Sequence, residues 1–201
     1  MNDPRTGVVI LAAGASRRMG RPKPLLEVGG RPLVVRAAEA ALAAPVWPIV
    51  VVLGSQAGLI RPALARLPVL IVENPAWSEG MASSLRTGLA TLRQFSRHLE
   101  GVVVALCDQP AFSADTIARL MAARSATGRT IAAARYQGRC GAPALFGSEH
   151  FPALAALTGE EGARLLLNGD PARVAAVDLP ELGADLDTPE DYERLLRGAA
   201  S

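Results

Sequence analysis

Short apolar runs alternate along this chain with segments of helical period. Residues 7–12 (GVVILA), 48–54 (PIVVVLG), 69–74 (VLIVEN), 101–108 (GVVVALCD) and 130–136 (TIAAARY) are hydrophobic stretches of strand length. Between them, 31–44 puts Leu33, Ala37, Ala40 and Ala41 on one helical face, and 81–95 puts Leu85, Leu89 and Leu92 at i, i+4 and i+7. Residues 113–124 form a helical segment that opens on Ser113, a residue type suited to an N-cap. Residues 56–67 are helical in pattern, with Pro62 as a breaker. Strands apolar on both faces and separated by helices predict an α/β protein with a mainly parallel sheet flanked by helices. Beyond Tyr136 the rhythm loosens. There 138–146 reads as a turn and a short strand, 160–169 as a short helix, 173–179 as a strand and 188–196 as a closing helix. No repeat, low-complexity tract or linker interrupts the pattern, so 1–201 is expected to be a single domain.

Composition narrows the function classes. Half of the 201 residues are hydrophobic, a fifth are charged, and the formal net charge is +2. That balance excludes a general nucleic-acid or membrane-surface binder, so any cations that matter act locally. Cys107 and Cys140 have no CxxC spacing, which argues against a structural zinc site or a disulfide framework. The polar opening MNDPRT is no secretory leader, and no apolar run is long enough to span a bilayer. The cytoplasm is the expected compartment.

Local cations stand directly after the first strand, in LAAGASRRMGRPKPLL, residues 11–26. In an open α/β sheet, ligands bind beyond the carboxyl ends of the strands. Gly14 and Gly20 would let the backbone turn and approach a ligand, while Arg17, Arg18 and Lys23 supply charge suited to phosphate. Neither the GxxxxGK[ST] loop nor the GxGxxG dinucleotide fingerprint is present: Gly20 is followed by Arg21 and Pro22, and Gly14 by Ala15 and Ser16. Arg21 and Lys23 each precede a proline, which predicts an extended, restricted segment that holds the Lys23 ammonium in place. The competing reading is a solvated basic loop.

Two acidic stations complement it. Asp108 ends the fourth strand in DQP, and Asp185 and Asp187 flank Leu186 in GADLDTPEDY. Asp108 also suits a turn before Pro110, and Thr188 to Asp191 are explained by helix capping alone. The functional reading has Asp108 and Asp187 hold one Mg²⁺, a hard cation that keeps sites for substrate phosphates and water. In NPAWSEGMASSLRTGL, Gly80 would allow close backbone approach, and Ser83 and Ser84 open a helix whose free N–H groups and hydroxyls could bond a base or phosphate. Ser83 as a plain helix cap is the competing reading. Trp77 reads as a packed lid residue. His98 and His150 lie at no strand's carboxyl end and read as surface residues.

Taken in order, LAAGASRRMGRPKPLL, NPAWSEGMASSLRTGL, DQP, GRCGAPALF and DLDTPEDY resemble the nucleotidyltransferase family that contains molybdenum cofactor cytidylyltransferase and its guanylyltransferase relative, within the MobA-like NTP transferase superfamily. The resemblance covers nearly the whole chain. It implies a Rossmann-like fold of the nucleotide-diphospho-sugar transferase type. It also implies that Leu11, Ala12, Ala13 and Gly14 contact base and ribose through their backbone, with Ser16 and Arg17 completing the nucleotide loop. Arg18 and Lys23 would hold the triphosphate and stabilise the transition state, Gly80 and Ser83 would help read the base, and Asp108 with Asp187 would bind Mg²⁺. The implied substrates are a nucleoside triphosphate, CTP by the middle segment, and a phosphorylated pterin acceptor, with a molybdoenzyme receiving the product. Cys140 departs from the pattern, where a small or polar residue such as His is expected nearby, and leaves the acceptor open. Guanine stays open as the base, as do a sugar or polyol phosphate as acceptor and a non-catalytic module that inserts the finished cofactor. A dehydrogenase is disfavoured because the dinucleotide fingerprint fails.

Overall fold

The computed structural model describes residues 5–160, 162–184, 186 and 188–198, and of Arg17 the backbone alone. These residues form a seven-stranded sheet in the order β5-β4-β1-β6-β8-β7-β9. Its strands are β1 (Thr6–Ala12), β4 (Ile49–Leu53), β5 (Leu70–Glu73), β6 (Gly101–Leu106), β7 (Ile131–Tyr136), β8 (Arg139–Gly147) and β9 (Val174–Asp178). Two further short strands, β2 (Glu27–Val28) and β3 (Arg31–Pro32), pair as a small ribbon outside it. The sheet is parallel except for β8, which runs antiparallel to both β6 and β7. The architecture is α/β and Rossmann-like, as the strand–helix rhythm predicts.

Helices α1 (Leu33–Leu42), α2 (Ala57–Ile60) and α4 (Ala114–Thr127) cover one face. Helices α3 (Met81–Phe95), α5 (Phe151–Ala155) and α6 (Arg164–Gly169) cover the other. Alternation along each strand divides the core between them: Val8 and Ile10 belong to the first cluster, Val9 and Leu11 to the second. Because both faces are covered, β1 and β4 are buried at every position, which is why they read as unbroken hydrophobic runs. Helix α4 starts with a reciprocal capping box between Ser113 and Thr116, and α2 gives way at Arg61 to a 3-10 turn containing Pro62.

Two expectations are corrected here. The stretch 138–146 is no short strand: β8 is nine residues long and is inserted between β6 and β7. Its sequence misleads because the end near Cys140 is half-exposed, and its register with β7 shifts between Ala133 and Ala134. His150 is not a surface residue. It is buried, 8% exposed, with Nε2 2.8 Å from Thr130 Oγ1 and its ring edge-on to Phe146.

Helix α3 lies close on the sheet at Gly88, where a Cβ would come 2.5 Å from Val9 Cγ1 and 2.9 Å from Val52 Cγ2. Gly58 in α2 faces open space. Gly88→Leu should therefore destabilise the fold by about 2–3 kcal/mol in urea denaturation, while Gly58→Ala should be neutral or stabilising by up to about 1 kcal/mol. Burial holds the His150 imidazole below its ordinary 6.5. The unfolded chain then takes up that proton first, so stability is full above pH 6.5 and falls as pH drops below it. Urea midpoints between pH 7.5 and pH 5.5 should fall less in His150→Gln than in the parent chain.

Candidate active site

Strands β4 and β5 are added on one side of β1, whereas β6 pairs with β1 on the other, with Leu11 beside Leu106. The chain reverses its winding there, and the crevice beyond the carboxyl ends of two such strands is where α/β sheets bind ligands. A cavity of about 640 Å³ opens at that point. Its walls include Leu11, Ala12, Ala13, Gly14, Ser16, Arg18, Lys23, Gly80 and Asp108, all expected from the sequence to be at the site.

The loop after β1 is shaped by its own hydrogen bonds. Ser16 (φ 51°) and Gly20 (φ 64°) take left-handed conformations and bracket a 3-10 turn at Arg17–Met19. A second such turn spans Lys23–Leu25. The expected extended segment therefore stops at Pro22 (ψ 112°), and Lys23 begins a turn in which Pro24 needs no N–H donor. What fixes Lys23 is a hydrogen bond from its backbone N–H to Ser16 Oγ, 2.9 Å long. Gly14 plays no part as a turn: it is not in the left-handed region, and a Cβ there would meet nothing within 4 Å.

The Lys23 ammonium lies 3.5 Å from Asp108 Oδ2, and the two side chains keep 15% and 31% of their exposure. The turn carrying Asp108 is held from two sides. Arg36 of α1 donates to the Pro110 carbonyl (3.2 Å) and to that of Val28 (3.3 Å). Buried Gln109 donates through Nε2 to the Ala142 carbonyl of β8 (2.8 Å). From the far side, helix α7 (Pro189–Gly198) braces the loop. Leu186, Met19, Leu26, Val28 and Leu33 form a small core against Tyr192 and Leu195. Tyr192 donates to the Glu27 carbonyl at 2.7 Å, and Arg21 stacks 5.0 Å from its ring. Asp185 and Asp187 lie outside the described residues. Beside Asp108, burial pushes the Cys107 thiol well above the ordinary thiol range and the Asp108 charge adds to it, so Cys107 is a protonated wall residue at neutral pH.

The opposite wall comes from α3 and the turn before it. The expected free donors at this helix start are largely spent within the protein. Ala82 N–H goes to the Gly159 carbonyl (3.1 Å) and Ser83 N–H to that of Gly80 (3.2 Å). The Ser83 hydroxyl is buried; it accepts from Asn74 Nδ2 (2.8 Å) and reaches the Ala76 (2.8 Å) and Gly80 (2.9 Å) carbonyls. Of the two serines that open α3, Ser84 and not Ser83 lines the cavity, beside Ser78 of the preceding turn. Gly80 (φ 108°) is needed for packing, since a Cβ would come 2.5 Å from the Gly159 carbonyl oxygen. Trp77, Met81 and Glu160 complete this wall. Glu160 carried no sequence signal: it stands in no motif, and it reaches the cavity because its neighbour Gly159 packs on Gly80 and Ala82 at the start of α3.

Residues 8–177 match the model of the MobA-like NTP transferase domain. The chain belongs to the MobA-like NTP transferase family. It is 38% identical over 199 residues to a nicotine blue oxidoreductase of Paenarthrobacter nicotinovorans, across 94% of this chain and 95% of that one. It is 30% identical over 192 residues to a molybdenum cofactor guanylyltransferase of Rhodobacter capsulatus, across 94% of each. Among solved structures, Rv0371c of Mycobacterium tuberculosis H37Rv in complex with manganese superposes with a TM-score of 0.76 at 29% identity, over 98% of this chain and all of that one. The fold is thus that of nucleotidyltransferases, and a cavity with cations facing a carboxylate is compatible with nucleotidyl transfer onto a phosphorylated acceptor. Among the described residues, no helix is long and apolar enough to cross a membrane.

Asn74 is the hub of the second wall: Nδ2 donates to Ser83 Oγ and to Ser84 Oγ (3.1 Å), and Oδ1 accepts from Ala76 N–H (3.0 Å). Asn74→Ala should cost about 1–3 kcal/mol in urea denaturation, and should weaken nucleotide binding measured by calorimetry, because the 76–84 wall loses its tie.

Proposed function

We propose that this chain is an enzyme that transfers a nucleoside monophosphate, CMP from CTP, onto the phosphate of a molybdopterin-type acceptor and releases pyrophosphate. The observation that carries this reading is Lys23 held 3.5 Å from Asp108 in the crevice between β1 and β6, with Arg18 on the same wall. Lys23 and Arg18 would bind the triphosphate and take up the charge that develops as the bond from the α-phosphorus to the bridging oxygen breaks. The acceptor phosphate oxygen, already anionic at neutral pH, forms the new bond to that phosphorus, and pyrophosphate is the leaving group. No general base is required, which agrees with a raised Cys107 thiol and a buried His150 engaged by Thr130. Backbone groups of Leu11, Ala12, Ala13 and Gly14 would border base and ribose, with Ser16, Arg17 and Gly80 as the further nucleotide residues and Ser83, held by Asn74, supporting their wall from behind.

Mg²⁺ fits the oxygen chemistry of Asp108, whose carboxylate keeps 31% of its exposure at the cavity; Asp187 is proposed as the second ligand. When bound, the ion would neutralise phosphate charge. The manganese complex of the mycobacterial protein supports a divalent ion in this fold. The choice of CTP over GTP rests on the resemblance of the Gly80–Ser84 segment to the cytidylyl branch of the family, and the product would pass to a molybdoenzyme.

One observation favours a second reading: the relative at 38% identity is named an oxidoreductase. The two separate in one assay series. Pyrophosphate release is measured with CTP, GTP and ATP against molybdopterin, and oxidation of a reduced nicotinamide cofactor, with nicotine blue as the electron acceptor, is followed in parallel. Release with CTP, Mg²⁺ and acceptor supports the transferase; nicotinamide oxidation without pyrophosphate supports the oxidoreductase. In the transferase, Lys23→Ala should lower turnover about a hundredfold or more. Near-full turnover in that variant would remove Lys23 from the mechanism.

A further inference from the structure

Cytosine and uracil have nearly the same size and shape, so a cavity that takes CTP cannot reject UTP by packing. The bases differ at C4, where cytosine carries an amino group and uracil a carbonyl oxygen. A side chain that only accepts hydrogen bonds favours the first and opposes the second. Among the described side chains of the cavity wall, two are of that kind, Asp108 and Glu160. The serine hydroxyls at 16, 78 and 84 turn to donate or accept and carry no such preference. Asp108 stands 3.5 Å from Lys23 at the phosphate side, whereas Glu160 is on the opposite wall.

The backbone that carries Glu160 is pinned to α3. Ala82 N–H donates to the Gly159 carbonyl (3.1 Å), Arg86 donates to the Leu157 carbonyl, and a Cβ on Gly80 would come 2.9 Å from Glu160 N. Beyond it, a Cβ on Gly162 would come 3.0 Å from the Met81 sulfur. An exposed carboxylate is thus presented to the cavity from a packed segment. The charge of the cavity is divided accordingly: Arg18 and Lys23 with Asp108 on one side, Glu160 on the other. A nucleoside triphosphate is divided in the same way, anionic at its phosphates and N–H-bearing at its base. Coulomb forces draw the phosphates to the cations and away from Glu160, which turns the base toward Glu160. We infer that Glu160 selects the base: its carboxylate accepts from the N4 amino group of cytosine and opposes O4 of uracil. The inference rests on the transferase reading above and deepens it by naming the side chain that excludes UTP.

The test is calorimetry on the whole chain with Mg²⁺ and no acceptor, using CTP and UTP as probes. The parent chain should bind CTP about tenfold or more tighter than UTP. In Glu160→Gln, whose amide offers either an acceptor or a donor, the two affinities should come within about threefold of each other, CTP weakening and UTP strengthening. Glu160→Ala should lose the preference as well, and neither variant should shift the urea midpoint, since the side chain is exposed. Equal binding of CTP and UTP by the parent chain would overturn the inference. So would an unchanged ratio in Glu160→Gln, the result expected if the carboxylate serves only the smaller apolar cavity that it also borders. Equal weakening of both nucleotides, the result expected of a metal ligand, would overturn it too. The two readings fail separately. A chain that prefers CTP through Glu160 but releases no pyrophosphate with any acceptor refutes the transfer and leaves the role of Glu160. Pyrophosphate release at equal rates from CTP and UTP refutes that role and leaves the transfer.

Discussion

Parallel pairing of β1 with β6 is the constraint on which the rest of the molecule depends. Their register sets Leu11 beside Leu106, so the loops that leave the two strands must emerge side by side. One loop carries Arg18 and Lys23, the other Asp108. The resulting ion pair is part-exposed and worth less than about 1 kcal/mol to stability. It matters as a charge arrangement: a cation and a carboxylate kept at one crevice suit an anionic ligand and its counter-ion better than they suit a fold.

Such an arrangement must be held before a ligand arrives, and most of the surrounding contacts do that. Ser16 fixes the Lys23 backbone, while Arg36 and Gln109 hold the Asp108 turn against the β2–β3 ribbon and β8. Helix α7 packs on the loop from outside, through the core of Met19, Leu26 and Leu186. The inserted antiparallel strand β8 does a second job. It carries Ala142, to which Gln109 and Tyr136 are bonded, and Ala144 and Phe146, which line an apolar cavity of about 260 Å³ beside the first.

Much of this was legible in the chain because local patterns carry it. Doubly covered strands must be apolar throughout, Asp108 follows the end of β6 directly, and Lys23 lies in the one loop that leaves β1. What escaped was set by tertiary contact. Nothing local marks β8 as a full-length strand, because its half-exposed Cys140 end and register shift break the hydrophobic run. His150 has no apolar periodicity of its own and is buried by Thr130 and Phe146, twenty and four residues away in sequence. Ser83 reads as a ligand-binding hydroxyl until Asn74 is seen to claim it, and Glu160 becomes a site residue only because Gly159 packs on Gly80.

A crystal structure with manganese and a non-hydrolysable CTP analogue tests the central claim most directly. Lys23 and Asp108 should grip one triphosphate: an anomalous manganese peak at the Asp108 carboxylate, with the phosphates beside the Lys23 ammonium in the β1–β6 crevice. Phosphates bound outside that crevice, or manganese held away from Asp108, would contradict it.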